Sequence, residues 1–278
     1  MVITKRRRLN LAIELPLLAF LIIFVAPIIW MMVLTFEPDR AIVQPGWHIA
    51  FTLHNLTAIL APGSAYTIQM LNSILLVLGC VLLCGAIATL AGYGLAKLQV
   101  PRILSVPILA ACAVLPLVPP MALVPGFYVT LAQLGLLGGI GGLVLLNTVL
   151  NLPFATILMK ISFDEIPVSL REAAVIDGAG EARVLTQVML PLAAPALATT
   201  CLFVAIMTWN EFLMALTMTS GGTTAPLSVG IAAMVQPYEI VWGQMAAAGS
   251  LAVVPIILLS VIANRKIVAG LTRGAVKG

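Results

Sequence analysis

Residues 69–95 read QMLNSILLVLGCVLLCGAIATLAGYGL and contain no Asp, Glu, Lys or Arg. An α-helix needs about 20 residues to cross the roughly 30 Å hydrocarbon core of a bilayer, so this stretch is long enough to span it. Its apolar residues cover every face of a helix, whereas a strand of a membrane β-barrel alternates apolar and polar residues. The stretch is therefore predicted to be a transmembrane helix.

Further apolar blocks of similar length lie on either side of this stretch. The six predicted spans are 12–35, 69–95, 105–128, 140–160, 192–217 and 244–264. Of the 278 residues, 62% are hydrophobic and 9% are charged, against about 25% charged residues in an ordinary soluble domain. The sequence thus predicts an all-α fold, a polytopic membrane bundle of six transmembrane helices.

The basic residues indicate how the chain is oriented. With the amino terminus placed inside the cell, 13 of the 14 Lys and Arg residues fall on cytoplasmic segments, and only Arg40 lies outside. This positive-inside distribution predicts a multi-pass protein of the cell inner membrane with both termini cytoplasmic. It also accounts for the net charge of +4 without a nucleic-acid partner. The first apolar block is too long for a signal peptide, so we expect it to be retained.

The long polar stretch on the predicted cytoplasmic side is residues 162–191, SFDEIPVSLREAAVIDGAGEARVLTQVMLP. Two helix starts are compatible with it. Pro167 can occupy the first position of a helix, or Ser169 can cap one with Glu172 three residues on, as in a capping box. Only one of these starts can be right, and the sequence leaves both open.

The middle of the same stretch contains Gly178 and Gly180, which allow the backbone to turn out of the first helix. A second helical segment is predicted for residues 181–189. Two short helices that meet at an angle would make a compact knob on the cytoplasmic side of the membrane.

The order of residues in this knob resembles a known motif. Glu172-Ala173-Ala174 is followed after three residues by Gly178, and after nine more by Val188, one residue and Leu190-Pro191. This spacing resembles the EAA loop of ABC importer permeases, in which Ile is usual at the position of Val188. The match falls on the predicted cytoplasmic loop, which makes the motif specific.

Other segments are similar to the carbohydrate-uptake, MalG-like branch of the binding-protein-dependent transport inner-membrane component family. They are Asn72-Ser73, residues 134–137, Trp209-Asn210-Glu211-Phe212 and residues 270–278. The likeness covers most of the chain from about residue 68. It implies a type I ABC importer permease fold with three parts. These are an amino-terminal part (1–67) with the first helix and first external loop, a permease core (68–264) with its EAA loop at 161–191, and a cytoplasmic tail (265–278).

The resemblance further implies that residues of the loop couple this chain to an ATPase. In such a loop Ala173 and Ala174 would keep the knob slim, Glu172 would pair with a basic residue of the partner, and Gly178 would permit the bend. The residues that the resemblance assigns to ATPase coupling are Glu172, Ala173, Ala174, Asp177, Gly178, Leu190 and Pro191.

The expected function follows from the same resemblance. The chain would move a sugar or related small polar solute inward by alternating access, with an ABC ATPase dimer, a second homologous permease subunit and an external solute-binding protein as partners. The external loop at 218–243 would reach the binding protein. No P-loop pattern GxxxxGK[ST] occurs in the chain, so ATP and Mg²⁺ would be bound by the ATPase, and this chain would hold no cofactor and no catalytic residue.

A polar patch inside the predicted fifth span is the candidate translocation path or gate. Glu211, with Trp209 and Asn210 beside it, is the one charge well inside a predicted span, and a charge there is expected to face the bundle interior. It could line the solute route or hold a gate, or it could make a structural hydrogen bond to a neighbouring helix, and both readings stay open. Asn147 and Asn151 of the fourth span are its possible polar neighbours.

Two packing features complete the prediction. The third span contains Pro107, Pro116, Pro119, Pro120 and Pro125, so this helix must kink or open. In the second span Cys84, Ala88, Gly92 and Ala96 recur every fourth residue, which is typical of a close helix contact.

The competing functions find less support in the sequence. An ion-coupled secondary transporter could use Glu211 as its proton or cation site, but it would usually show internal repeats and more ionisable groups at midplane. A membrane enzyme would need a nucleophile, paired carboxylates or metal ligands gathered on one face. No metal site is predicted, because Cys80 and Cys84 lie one turn apart without a His nearby.

Overall fold

The computed structural model describes residues 2–43, 50–219, 223–235 and 240–275. Parts of two predicted external loops, the first one and the one at 218–243, lie outside the described residues. Residues 276–278 of the predicted tail, among them Lys277, lie outside them as well. The α-helices are α1 (Val2–Leu34), α2 (Asp39–Val43), α3 (His54–Ile59), α4 (Ala65–Lys97), α5 (Arg102–Val114), α6 (Pro120–Gln133), α7 (Ile140–Glu165), α8 (Val168–Ile176), α9 (Glu181–Arg183), α10 (Leu190–Trp209), α11 (Leu213–Met218), α12 (Leu227–Ala232) and α13 (Trp242–Ala275). A 3₁₀ turn (Leu115–Leu117) and a π-helical segment (Val184–Met189) complete them.

The described residues contain five helices that are long and apolar enough to cross a membrane. They are Glu14–Leu34 of α1, α4, α7, the continuous helix Glu181–Trp209 and Trp242–Val261 of α13. Many of their large apolar side chains are exposed, as with Leu82 at 72%, which suits contact with lipid tails. The predicted all-α polytopic bundle is confirmed, with corrections in the third and fifth spans.

The third predicted span, 105–128, is a bent pair rather than one helix. Residues Arg102–Leu117 and Pro120–Gln133 meet at 111° across a short break. Proline lacks a backbone donor and its ring clashes with the preceding turn, so Pro119 and Pro120 together end the first segment and open the second. The predicted kink is confirmed, and the pair counts as the sixth span only if both halves lie in the membrane.

The fifth predicted span, 192–217, is wrong at its carboxyl end, whereas the helical segment predicted for 181–189 is confirmed and continues into the span without a break. Helical backbone already begins at Glu181, passes through the π-helical segment and ends at Trp209. Residues 210–212 leave the helix before α11 begins at Leu213. The mean hydropathy stays high across this break because the residues on both sides are apolar. The helix is nevertheless interrupted there, and Glu211 bonds the next helix, as described below.

One compact unit comprises Ile68–Gly230 with α13 from Pro255 onward. Its first buried cluster joins α4 to α7 and to the helix from Val184 onward, and the predicted small-residue stripe lies in it, with Cys84 and Ala88 fully buried. A second cluster, around Leu76, Leu143 and Met214, packs α4, α7, α6 and α11 together. The stripe is thus confirmed as packing.

The other compact unit comprises Met1–Thr67 and Ile231–Val254. The buried Asn55 side chain donates hydrogen bonds to the carbonyls of Thr35 (3.1 Å) and Glu37 (2.8 Å), which fixes α3 at the end of α1. The hydroxyls of Thr35 and Ser250 lie 3.1 Å apart and join α1 to α13.

Candidate functional site

The first helix of the predicted coupling loop, α8, begins directly after a proline. Pro167 is its N-cap residue, with an extended ψ of 132°, and Val168 is its first helical residue. Ser169 lies inside the helix and makes no capping bond. Of the two starts left open by the sequence, the proline start is therefore close to the observed one, and the capping box with Glu172 does not form.

The end of α8 is shaped by Gly178. This glycine has a φ of +87°, in the left-handed region that side chains disfavour. The Ala179 N–H donates to the Ala174 carbonyl (2.9 Å) and the Gly178 N–H to the Val175 carbonyl (3.0 Å), the two bonds of a Schellman motif. The predicted turn at Gly178 is thus present, and it closes the helix with its last carbonyls satisfied.

The predicted coupling residues divide between a knob and the membrane helix behind it. Glu172, Ala173, Asp177 and Gly178 are all exposed on α8 and its turn, whereas Ala174 packs on the first buried cluster. Leu190 and Pro191 lie in the first turn of α10 instead. The sequence analysis missed Ile176, whose side chain is 84% exposed and gives the tip of the knob an apolar surface.

A hydrogen-bonded network that the sequence did not predict holds the two helices of the knob together. Arg171 of α8 forms an ion pair with Glu181 of α9, and its Nε lies 3.3 Å from Glu181 Oε2. The nearby Glu181 carboxylate raises the pKa of Arg171 above its usual value. Tyr93 of α4 donates its hydroxyl proton to the same Oε2 at 2.6 Å, and the network therefore extends into the membrane bundle.

A second contact joins α4 to the start of the loop. Lys97, the last residue of α4, donates from Nζ to the carbonyl of Ile166 at 2.6 Å. Ile166 is the C-cap of α7, so this bond satisfies a carbonyl that helix geometry leaves open. A lysine at the end of a helix is suited to this task because its long stem reaches past the last turn.

The predicted path residues on α7 are directed at their own helix. Asn147 is fully buried, and its Nδ2 donates to the Leu143 carbonyl at 3.0 Å. The Asn151 Nδ2 donates to the Asn147 carbonyl at 2.8 Å. Within the described residues the buried Asn147 Oδ1 has no hydrogen-bond partner. Thr148, the next residue, and Thr208 of α10 both donate to Cys80 Sγ, so α4 is bonded to both of these helices.

Glu211 occupies the break between α10 and α11. Its two carboxylate oxygens accept the backbone N–H groups of Met214 (2.7 Å) and Ala215 (2.9 Å), two of the donors that the first turn of a helix leaves unpaired. Its carbonyl accepts the Ser228 hydroxyl at 2.8 Å. The carboxylate thus caps α11, a structural hydrogen-bonding role of the kind that the sequence analysis weighed for Glu211. Asn210 donates back to the Ile206 carbonyl, and Trp209 ends α10.

The predicted external loop near residue 225 is hydrogen-bonded to the other end of α4. Asn72 donates from Nδ2 to the carbonyls of Thr223 (2.9 Å) and Ala225 (3.0 Å), and the Ser73 hydroxyl accepts the Leu227 N–H at 2.8 Å. The sequence analysis noted Asn72-Ser73 only as part of a resemblance. The signal available in the sequence was that these two polar residues stand near the beginning of an apolar span.

Comparison with known proteins places this geometry in a family. Residues 88–273 match the profile of the family described as binding-protein-dependent transport system inner membrane component. The trehalose/maltose transport system permease protein MalG of Thermococcus litoralis is 32% identical over 275 residues, which covers 98% of each chain. The trehalose transport system permease protein SugB of Mycobacterium tuberculosis is 32% identical over 258 residues, or 91% of this chain and 92% of that protein.

A solved structure supports the same fold. One chain of a bacterial ABC transporter involved in the import of the acidic polysaccharide alginate superimposes with a TM-score of 0.81. The superposition covers 94% of this chain and 97% of that chain, at 22% sequence identity. The bent α5–α6 pair, the knob and the broken fifth span thus belong to a chain whose overall fold is that of a known transporter subunit.

Proposed function

This chain belongs to the family of binding-protein-dependent transport system inner membrane components, and from that premise we propose that it is the permease subunit of an ABC importer for a sugar or related small polar solute. The solute class rests on the relatives, since two of them are named as trehalose/maltose and trehalose permeases. The external solute-binding protein is the partner that the family description itself implies.

The observation that carries the coupling role is the exposed knob between α7 and α10. Its exposed Glu172 offers a carboxylate to a basic residue, its exposed Ala173 leaves room for a cleft wall, and the turn at Gly178 holds its tip. An ABC ATPase dimer that binds ATP and Mg²⁺ supplies the cleft. The segment 161–191, including Asp177, Leu190 and Pro191, acts as the coupling loop.

The proposed orientation places both termini and this loop in the cytoplasm. The basic residues on those segments favour it by the positive-inside rule. The first external loop and the loop at 218–243 then face outward, where the latter meets the solute-binding protein. A second permease of the same fold completes the membrane path.

Transport proceeds by alternating access in this proposal. Closure of the ATPase dimer displaces the knob, the displacement opens the helices outward, and hydrolysis resets them inward. Asn147, Asn151, Trp209, Asn210 and Glu211 belong to the path or its gate. Glu211 would act on the gate by fixing α11 to the end of α10, through the bonds to Met214 and Ala215.

The ion-coupled alternative is not favoured. A proton or cation site needs a carboxylate whose oxygens are free to bind the ion, and both Glu211 oxygens already accept backbone N–H groups. Family membership favours a chain powered by a separate subunit.

The test is purification of the tagged chain, expressed with the products of its neighbouring genes, from detergent extract. We expect an ATPase subunit to co-purify with the wild type, and Glu172→Lys to lose it by charge reversal. Glu14→Lys makes the same charge change on α1, outside the loop, and should retain the ATPase. A wild-type chain that purifies without an ATPase and supports proton-driven uptake in vesicles would overturn the proposal.

A further inference from the structure

The cytoplasmic end of α4 holds the knob from two sides. Tyr93 is buried, 4% exposed, and its ring packs edge-on against Phe163 of α7 with centroids 5.6 Å apart, so only its hydroxyl projects toward the loop. That hydroxyl donates to Glu181, which follows the turn after α8. Lys97 donates to the carbonyl of Ile166, which precedes α8. The knob is therefore tied to α4 both before and after its first helix.

The hydrogen bond from Tyr93 to Glu181 is charge-assisted, and the ion pair of Glu181 with Arg171 connects it to both helices of the knob. Arg171 of α8 pairs with the carboxylate that accepts the Tyr93 proton. Hydrogen bonds to an ionised carboxylate are shorter and stronger than neutral ones. A displacement of α8 or α9 therefore pulls on the Tyr93 hydroxyl.

The opposite end of α4 holds the external loop in a similar way. Asn72 bonds two carbonyls of that loop, at Thr223 and Ala225, and Ser73 bonds a backbone N–H. Asn72 and Tyr93 are separated by 21 positions, or about 32 Å along an α-helix. One helix thus carries attachment points at both of its ends.

The helix between these ties is suited to transmit a displacement. Proline is the commonest cause of a sharp helix kink. Prolines lie inside α1, α7, α10 and α13, and inside both halves of the bent pair, whereas α4 has none. Among the apolar spans that the structure describes, α4 is therefore the one without a proline at which it could bend.

We propose that Tyr93 and Lys97 are positioning residues through which the knob moves α4 as a rod, and that α4 carries this movement to the external loop at 223–227. The inference rests on the proposed coupling role of the knob and names the residues that pass its motion on. Both side chains are bonded within this chain, Tyr93 to Glu181 and Lys97 to Ile166, and the proposal assigns neither a contact with the ATPase or the solute. Their loss should therefore separate ATP hydrolysis from transport without dissociating the complex.

The test compares purified complexes in vesicles, by solute uptake per ATP hydrolysed, using the solute whose uptake the wild type supports. Tyr93→Phe removes one hydroxyl and keeps the ring on Phe163, and we expect it to lower this ratio roughly fivefold, as loss of one charge-assisted hydrogen bond allows. Tyr128→Phe makes the same change on α6 and should leave the ratio unchanged. Lys97→Met should lower it, and Lys97→Arg, which keeps a donor, should restore it.

A double-variant comparison separates this role from simple stabilisation. Tyr93→Phe and Glu181→Leu each remove the bond between these two side chains, so the double variant should lose no more coupling than the more affected single variant. Thr223 has an exposed side chain and a carbonyl that accepts from Asn72, so a Thr223→Cys variant is used to attach an environment-sensitive fluorophore. The ATP-dependent signal of this probe should shrink several-fold in Tyr93→Phe.

Unchanged coupling and an unchanged probe signal in Tyr93→Phe and Lys97→Met would overturn the inference. So would a loss of ATPase subunits in proportion to the loss of uptake, because that result indicates a structural role. If the wild-type complex itself contains no ATPase, the proposed function fails instead. The two failures are therefore distinguishable.

Discussion

Gly92 of α4 lies directly against Met159 of α7. A methyl group on the Gly92 Cα would lie 2.7 Å from Met159 Cβ and 2.8 Å from the backbone nitrogen of Lys160. These atoms belong to the body of α7 and cannot rotate out of the way. The position therefore admits glycine alone while the two helices keep their present separation.

We expect Gly92→Ala to push α4 from α7 and to lower the free energy of unfolding by about 1–3 kcal/mol, the usual cost of overpacking. Thermal unfolding in detergent, followed by a dye that reacts with the fully buried thiols of Cys80 and Cys84, measures this. Gly94→Ala is the control, since a methyl group there meets nothing within 4 Å. Equal losses in both variants would contradict the close contact.

The turn after α8 gives a second prediction. Gly178→Ala meets no steric neighbour, so its cost is that of holding alanine at a φ of +87°, about 1 kcal/mol. Hydrogen exchange of the amides at 174–179 should accelerate roughly fivefold. Gly180→Ala lies two residues away at a φ of −69° and should exchange like the wild type. Faster exchange in both variants would mean that the left-handed turn is not the cause.

Glu211 gives a prediction that separates capping from ion coupling. Glu211→Leu leaves the buried N–H groups of Met214 and Ala215 without acceptors, and we expect a loss of about 2 kcal/mol of stability together with uptake. Glu211→Gln keeps one acceptor oxygen and should retain most uptake. Uptake in vesicles measures both. Abolished uptake in a stable Glu211→Gln protein would instead favour an ion-binding carboxylate.

The hydrogen bonds from Asn72 to the loop at 223–225 give a fourth prediction. Asn72→Ala removes the donor to two carbonyls of the loop proposed to be external, so residues near 223–227 should be cleaved several-fold faster by protease added outside oriented vesicles. Asn210→Ala removes an exposed amide that bonds only one turn back in its own helix and serves as the control. Equal cleavage rates in wild type and Asn72→Ala would show that Asn72 does not anchor the loop.

Features that depend on local chemistry could be predicted from the sequence. The adjacent Pro119 and Pro120 favour a break between two helical segments, and Gly178 marks a turn because few other residues adopt its backbone conformation. The stripe through Cys84, Ala88 and Gly92 indicates a close contact from spacing alone.

Features that depend on distant partners could not. Asn72 bonds residues 151 and 153 positions away, and Tyr93 bonds one 88 positions away. The break at 210–212 is equally hidden, because hydropathy counts apolar residues and does not register that Glu211 bonds forward to Met214. The sequence identified Glu211 as unusual, and only the fold assigns it backbone partners.

The π-helical segment Val184–Met189 has a consequence for comparing this chain with its relatives. Successive side chains of an α-helix are about 100° apart around the helix axis, and a π-helical turn contains more residues than an α-helical turn. A helical wheel that assumes regular α-helix from Glu181 to Trp209 therefore places the residues on one side of the π-helical segment on the wrong face of the helix. The same segment is the place where losing one residue can convert the wide turn to an ordinary one while α10 keeps its angular phase against α4 and α7. Single-residue gaps in alignments of such chains should be placed here rather than in α10.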